Sequence, residues 1–211
     1  MTWLVAISLA FSFAASLVFV PLVRFAARKV GMVDHPDSDR KLQAIPVALG
    51  GGVAVFLSLV LAFVAIILVD RQGEYLLGEV ATKWRMLFAA SAAMLGVGLI
   101  DDIWKLRGRQ KLLLQVVIVS ALVGSGTVVN SFSILGFELQ LGAFAFPVTV
   151  LWLLISVNAL NLIDGADGMA TTAGAIICLG LGFTSLAMGA PLSAIAGFAL
   201  AGALAGFLCF N

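Results

Sequence analysis

Long apolar runs separated by short polar segments set the pattern of this chain from end to end. A helix of about 20 apolar residues crosses a bilayer. Seven runs approach or reach that length: Trp3–Val23, Val47–Val69, Trp84–Ile100, Leu112–Val129, Phe146–Leu160, Met169–Met188 and Leu192–Phe210. The third and fifth are short, which predicts that polar neighbours continue their helices or that tilted partners cover their ends. Between the spans, only Ser131–Phe146 alternates in part, around Gly136 and Gly142, and this predicts a small hairpin lying in the membrane interface. The expected fold class is therefore all-α, a polytopic membrane protein with about seven transmembrane helices and one small periplasmic hairpin. With no internal repeat, low-complexity tract or soluble domain, residues 1–211 read as a single transmembrane domain.

Composition agrees, since 62% of residues are hydrophobic and 11% charged, against roughly 25% charged in soluble domains. The net charge of +1 says nothing about partners, and no basic tract points to nucleic acid. The placement of the charges says more. The first apolar run has its bases, Arg24, Arg28 and Lys29, after it, as in a retained signal-anchor whose N-terminus stays outside. The loops after the first, third and fifth spans then face the cytosol and hold nine of the 12 Lys and Arg, leaving Arg71, Lys83 and Arg85 outside. Seven crossings place the C-terminus in the cytosol. Cys178 and Cys209 fall in apolar runs without a flanking His or Cys and are expected to be buried thiols.

Only 11 acids are present, and four stand where apolar spans end: Asp101 and Asp102, then Asp164 and Asp167. Carboxylates at the membrane boundary are costly unless something cationic meets them, and two adjacent ones stay ionised together only near positive charge. Lys105, Arg107, Arg109 and Lys111 follow the first pair. A hard divalent cation held by one or two carboxylates and substrate phosphates suits such a place; a solvated, salt-bridged loop is the plainer alternative. The stretch from Asn158 to Gly168 is more specific. Continued as a helix, Asn161, Asp164 and Asp167 step by three along one side, and Gly165 and Gly168 leave room for a ligand. Amides and carboxylates so arranged suit a base and ribose, or a metal. Helix capping explains only part of that set.

The first cytosolic loop carries Asp34, His35, Pro36, Arg40, Lys41, Gln43, Pro46 and the run Gly50–Gly52. Arg40 and Lys41 can grip a diphosphate. The glycines permit close approach to an anion or to a neighbouring helix. Arg24, Arg28 and Lys29 read as topology anchors, and His35 as a loop residue.

Three groups of residues together resemble one family. They are Asp34-x-Pro36 with Arg40-Lys41, Pro46 and Gly50-Gly51; Gly98-Leu99-Ile100-Asp101-Asp102 with Lys111-Leu112-Leu113-x-Gln115; and Asn158-x-x-Asn161-x-x-Asp164-Gly165-x-Asp167-Gly168-Met169. This order is similar to that of the polyprenyl-phosphate N-acetylhexosamine-1-phosphate transferases (glycosyltransferase family 4), over essentially the whole chain. The family includes phospho-N-acetylmuramoyl-pentapeptide transferase and bacterial enzymes that begin teichoic acid, O-antigen and enterobacterial common antigen synthesis.

The resemblance implies that polyprenyl (undecaprenyl) phosphate and a UDP-amino sugar, most commonly UDP-GlcNAc, give a polyprenyl-diphospho-sugar and UMP. It implies Mg²⁺, with Mn²⁺ as the alternative, a site on the cytosolic face of the bacterial inner membrane, and a possible homodimer. By motif, Asp101 and Asp102 resemble the catalytic pair that handles the lipid phosphate. Asp102 and Asp164 resemble metal ligands, and Asp167, Asn158 and Asn161 nucleotide-facing groups. Lys41, with Arg40, and Lys105, with Lys111, resemble bases near uridine and diphosphate. Direct displacement and a covalent aspartyl-phosphate are both open. Gln43 and Ala48 depart from the family pattern, and the family's Gly-Asp loop and histidine-bearing loop are expected beyond Asn211, so the domain reads as incomplete. A non-catalytic membrane homologue is the competing reading; an ion-coupled transporter fits less well, because the acids gather at one face.

Overall fold

In a computed structural model, which describes residues 2–34, 47–69, 79–134, 136–163 and 168–210, the apolar runs form helices. They are α1 (Thr2–Val30), α2 (Gly51–Val69), α3 (Glu79–Trp104), α4 (Gly108–Gly124), α5 (Ala145–Ile163), α6 (Met169–Ala187) and α7 (Pro191–Leu208). Two short antiparallel ladders accompany them: β1 (Val33–Asp34) with β2 (Val47–Ala48), and β3 (Ser131–Ile134) with β4 (Phe137–Gln140). Among the described residues six helices are long and apolar enough to cross a membrane; α4, at 17 residues, is the shorter one. The all-α polytopic expectation holds, and so does the hairpin. The chain divides into two compact units, Met1–Tyr75 with Ile163–Asn211, and Leu76–Leu162.

The first unit is built around α7, whose small residues let three helices approach it. Ser8, Ser12 and Ser16 of α1 follow one another at four-residue spacing and are all fully buried. Ser8 Oγ donates to Val5 O at 2.8 Å and to Ile195 O at 3.4 Å. A Cβ on Gly206 would lie 2.7 Å from both Phe13 O and Ser16 Cβ, and one on Gly202 would overlap the Leu9 carbonyl and the Ser12 hydroxyl. Small residues at this spacing allow the tight backbone contact that holds helices together in lipid. The pairs climb both helices in the same order, so α1 and α7 run parallel.

Helices α2 and α6 run the other way. Gly51, at the start of α2, abuts the Phe207 ring at the end of α7. On α6, Gly174 faces Leu204 while Gly182 faces Phe198. Arg24, expected only as an anchor, donates through Nη2 to Phe210 O and lies 5.9 Å from that ring, neutralising the negative end of α7. Cys209 differs from expectation: α7 ends at Leu208, which leaves the thiol exposed beside Ala205 O.

In the second unit, α3 continues beyond the apolar run through Asp101 and Asp102, as its shortness suggests. Lys105 ends it with φ of 48°, its N–H donating to Asp101 O at 2.8 Å. Gln110 Oε1 then accepts the Arg107 N–H at 3.1 Å at the start of α4. That helix stops at Gly124, short of the expected Val129. Ser125 bonds back to Leu122 O at 2.7 Å, and Gly126, at φ of 102°, turns the chain toward β3.

Candidate active site

The C-terminal end of α3, the N-terminal end of α4 and the C-terminal end of α5 meet within the second unit. Two adjacent carboxylates at a helix C-terminus oppose both one another and the helix dipole, so a cation is required beside them. Lys111, in the first turn of α4, supplies it. Its Nζ lies 2.8 Å from Asp101 Oδ2, with the side chains only 21% and 24% exposed. The same ammonium donates to Asn161 Oδ1, at 3.3 Å, on α5. One lysine thus ties together three helices.

A second rung lies one helical turn along. Asn158 Nδ2 donates to Gln115 Oε1 at 3.0 Å and to Leu154 O in its own helix at 2.8 Å. Gln115 is 3% exposed. These bonds orient both amides. The Asn161 oxygen turns toward Lys111, which directs its NH₂ group elsewhere, whereas both Asn158 N–H groups are engaged and its Oδ1 takes neither bond. The two asparagines therefore present opposite hydrogen-bonding ends, a donor and an acceptor, three residues apart on α5.

Asp102 is half-buried beside Asp101 in the last turn of α3. Successive helical residues point about 100° apart, so the two carboxylates face different directions, and the Lys111 bridge belongs to Asp101. Lys105 is exposed and held in the left-handed region; a lysine there sustains strain that glycine would relieve. Arg107 and Arg109 are exposed on the short connection and at the start of α4.

Of the residues expected from sequence, Asp101, Lys111 and Asn161 touch directly, Asn158 joins through Gln115, and Asp102 and Lys105 stand at the same helix end. Arg40, Lys41, Asp164 and Asp167 lie outside the described residues. Gln115 had no role assigned from sequence. Its signal was present all the same: it is the lone amide inside Leu112–Gly124, four residues after Lys111 and so on the same helical face. Among the described residues no three acids, histidines or cysteines cluster. The carboxylates at this end, those of Asp101 and Asp102, offer hard oxygens, which fit Mg²⁺ or Mn²⁺ and not a softer metal.

Residues 84–211 match the family model described as glycosyl transferase family 4. Among curated proteins, one from Bacillus subtilis named as a probable undecaprenyl-phosphate N-acetylglucosaminyl 1-phosphate transferase is 30% identical over 197 residues, covering 92% of this chain and 52% of its own. A Mycobacterium tuberculosis decaprenyl-phosphate N-acetylglucosaminephosphotransferase is 31% identical, with 90% and 49% covered. A Clostridium botulinum phospho-N-acetylmuramoyl-pentapeptide-transferase is 30% identical, with 96% and 63% covered. The chain spans about half the length of the curated relatives it matches.

Proposed function

The chain belongs to glycosyl transferase family 4, and on that premise we propose that it transfers GlcNAc-1-phosphate from UDP-GlcNAc to polyprenyl phosphate, releasing UMP. The observation that carries this reading is the Lys111 bridge from Asp101 to Asn161, an ammonium held between an acid and an amide at the end of apolar helices. The relatives' names supply the general reaction; the donor sugar is the finer proposal.

An oxygen of the lipid phosphate attacks the sugar-linked phosphorus. The new P–O bond forms as the bond from that phosphorus to the bridging oxygen breaks, and the oxygen leaves with the electron pair as part of UMP. Asp101 or Asp102 takes the proton of the lipid phosphate monoanion, which exposes a more nucleophilic oxygen. Lys111 restrains Asp101 and, with Lys105 and Arg107, draws phosphate to a surface that the carboxylates alone would repel. The Asn161 NH₂ and the Asn158 carbonyl offer a donor and an acceptor to the nucleotide. A dication held by Asp102 and Asp164 would neutralise charge on the transferring and leaving groups. Confinement of the lipid phosphate to the interface explains why these groups sit at the helix ends.

We also propose that the N-terminus is outside and the site cytosolic, in a bacterial inner membrane. Support comes from helix direction. Because α2 and α6 run the same way, the chain leaves α2 on one face and enters α6 from the other, which requires an odd number of crossings between them. Helices α3 and α5 are each of spanning length, so α4 supplies the third, spanning about 26 Å at 1.5 Å per residue. Nine of the 12 Lys and Arg then lie inside.

The test is UMP release by the purified protein in nanodiscs. Turnover should require both UDP-GlcNAc and polyprenyl phosphate, vanish with EDTA and return with Mg²⁺. Asp102→Asn should abolish it while UDP-GlcNAc still binds. Near-normal turnover in both Asp101→Asn and Asp102→Asn removes the acid pair from the mechanism.

A further inference from the structure

The β3–β4 hairpin sorts its side chains cleanly. In the antiparallel register Phe132 pairs with Leu139 and Ser133 with Glu138, while Ser131 pairs with Gln140. Alternation then puts Phe132, Leu139 and Phe137 on one face, and Ser131, Ser133, Glu138 and Gln140 on the other. The apolar face is open: Phe137 is 80% exposed and Leu139 59%. Phe144, in the 3₁₀ turn Gly142–Phe144 that leads into α5, is 71% exposed.

That face is continuous with the flank of a spanning helix. The Phe132 ring packs against Trp152 of α5, centroids 6.4 Å apart, and Leu151, Trp152 and Ile155 are themselves exposed along α5. The hairpin is also fastened to that helix, since the Val129 N–H donates to the buried Thr149 Oγ1 at 3.0 Å. Aromatic rings beside the first turns of a transmembrane helix belong to the headgroup boundary. From Ser125 to Phe146 the only charged residue is Glu138, so nothing here attracts anionic headgroups.

We propose that this hairpin is a membrane-binding surface, which rests Phe137, Leu139 and Phe144 in the boundary between headgroups and acyl chains and recognises the apolar interface, not lipid charge. Rigid attachment to α5 then makes it a depth stop for that helix. The helix is 19 residues long, about 28 Å along its axis, so the hairpin sets the level at which Asn158 and Asn161 meet the opposite interface.

Nitroxide labels at single cysteines test this in nanodiscs, in the Cys178→Ala, Cys209→Ala background, at Phe137→Cys, Glu138→Cys, Leu139→Cys and Gln140→Cys. All four positions are exposed, so the fold tolerates the labels. Labels at 137 and 139 should collide more with oxygen than with aqueous nickel chelate. Those at 138 and 140 should show the reverse, equally in phosphatidylcholine and phosphatidylglycerol-containing discs. The proposal is overturned if all four favour the aqueous reagent, which places the hairpin in water. It is equally overturned if 137 and 139 are shielded from both reagents, which means protein covers the face, or if the pattern appears only with anionic lipid.

Discussion

Lys111→Met in a double-mutant cycle with Asp101→Asn examines the bridge most directly. At 2.8 Å the gross attraction between the charges is about 6 kcal/mol at an effective dielectric of 20. Desolvation and the ordering of a long side chain offset most of this. A hydrogen bond to a charged group contributes about 1.5–3 kcal/mol net, and burial of both side chains to about three quarters keeps solvent from screening it to the surface-pair level. The expected coupling is therefore roughly 10- to 160-fold in kcat/KM, at 1.36 kcal/mol per decade. In the wild-type background Lys111→Met should lose at least that factor in UMP release. In the Asp101→Asn background its loss should be smaller by that factor, because only its contacts with phosphate and Asn161 remain to be lost. Equal losses in both backgrounds would falsify the pairing as a functional unit. Lys111→Arg should recover part of the activity, since guanidinium keeps the charge but forks differently toward Asn161.

Three further outcomes follow from the geometry. Gln115→Leu removes the acceptor of Asn158 and should cost about 0.6–1.7 kcal/mol of stability, read by thermal melting in detergent; the KM for UDP-GlcNAc should rise more than kcat falls, and an unchanged KM would detach Gln115 from the nucleotide end. Gly206→Val drives a side chain into Phe13 O and Ser16 and should destabilise by about 1–3 kcal/mol, whereas Gly96→Val, where a Cβ would meet nothing within 4 Å, should melt close to wild type; matched melting curves would contradict the α1–α7 seam. Lys105→Gly relieves the left-handed backbone, worth about 1 kcal/mol, so it should hold or raise the melting temperature while turnover falls roughly tenfold through loss of one phosphate contact; full activity in that variant would show that the lysine plays no part in the reaction.

Much of this protein is written locally. Apolar transfer free energy adds residue by residue along the chain, so the spans declare themselves without knowledge of their neighbours, and the cost of a carboxylate in hydrocarbon pins Asp101 and Asp102 to a helix end. Periodicity likewise carried the hairpin, and the short third run rightly implied a helix prolonged by its acids. Sequence alone set the end of α4 too far along, because Val128 and Val129 are apolar enough to read as helix while Ser125 and Gly126 turn the chain first. Arg40, Lys41, Asp164 and Asp167 remain sequence expectations. Pairing was decided only in three dimensions. Lys111 meets Asp101 ten residues earlier and Asn161 fifty residues later, Gln115 orients Asn158, and Ser12 and Ser16 meet Gly202 and Gly206 of α7. Each depends on which helix faces which, and in lipid that choice rests on close packing and hydrogen bonds between distant residues, terms that no window of sequence contains.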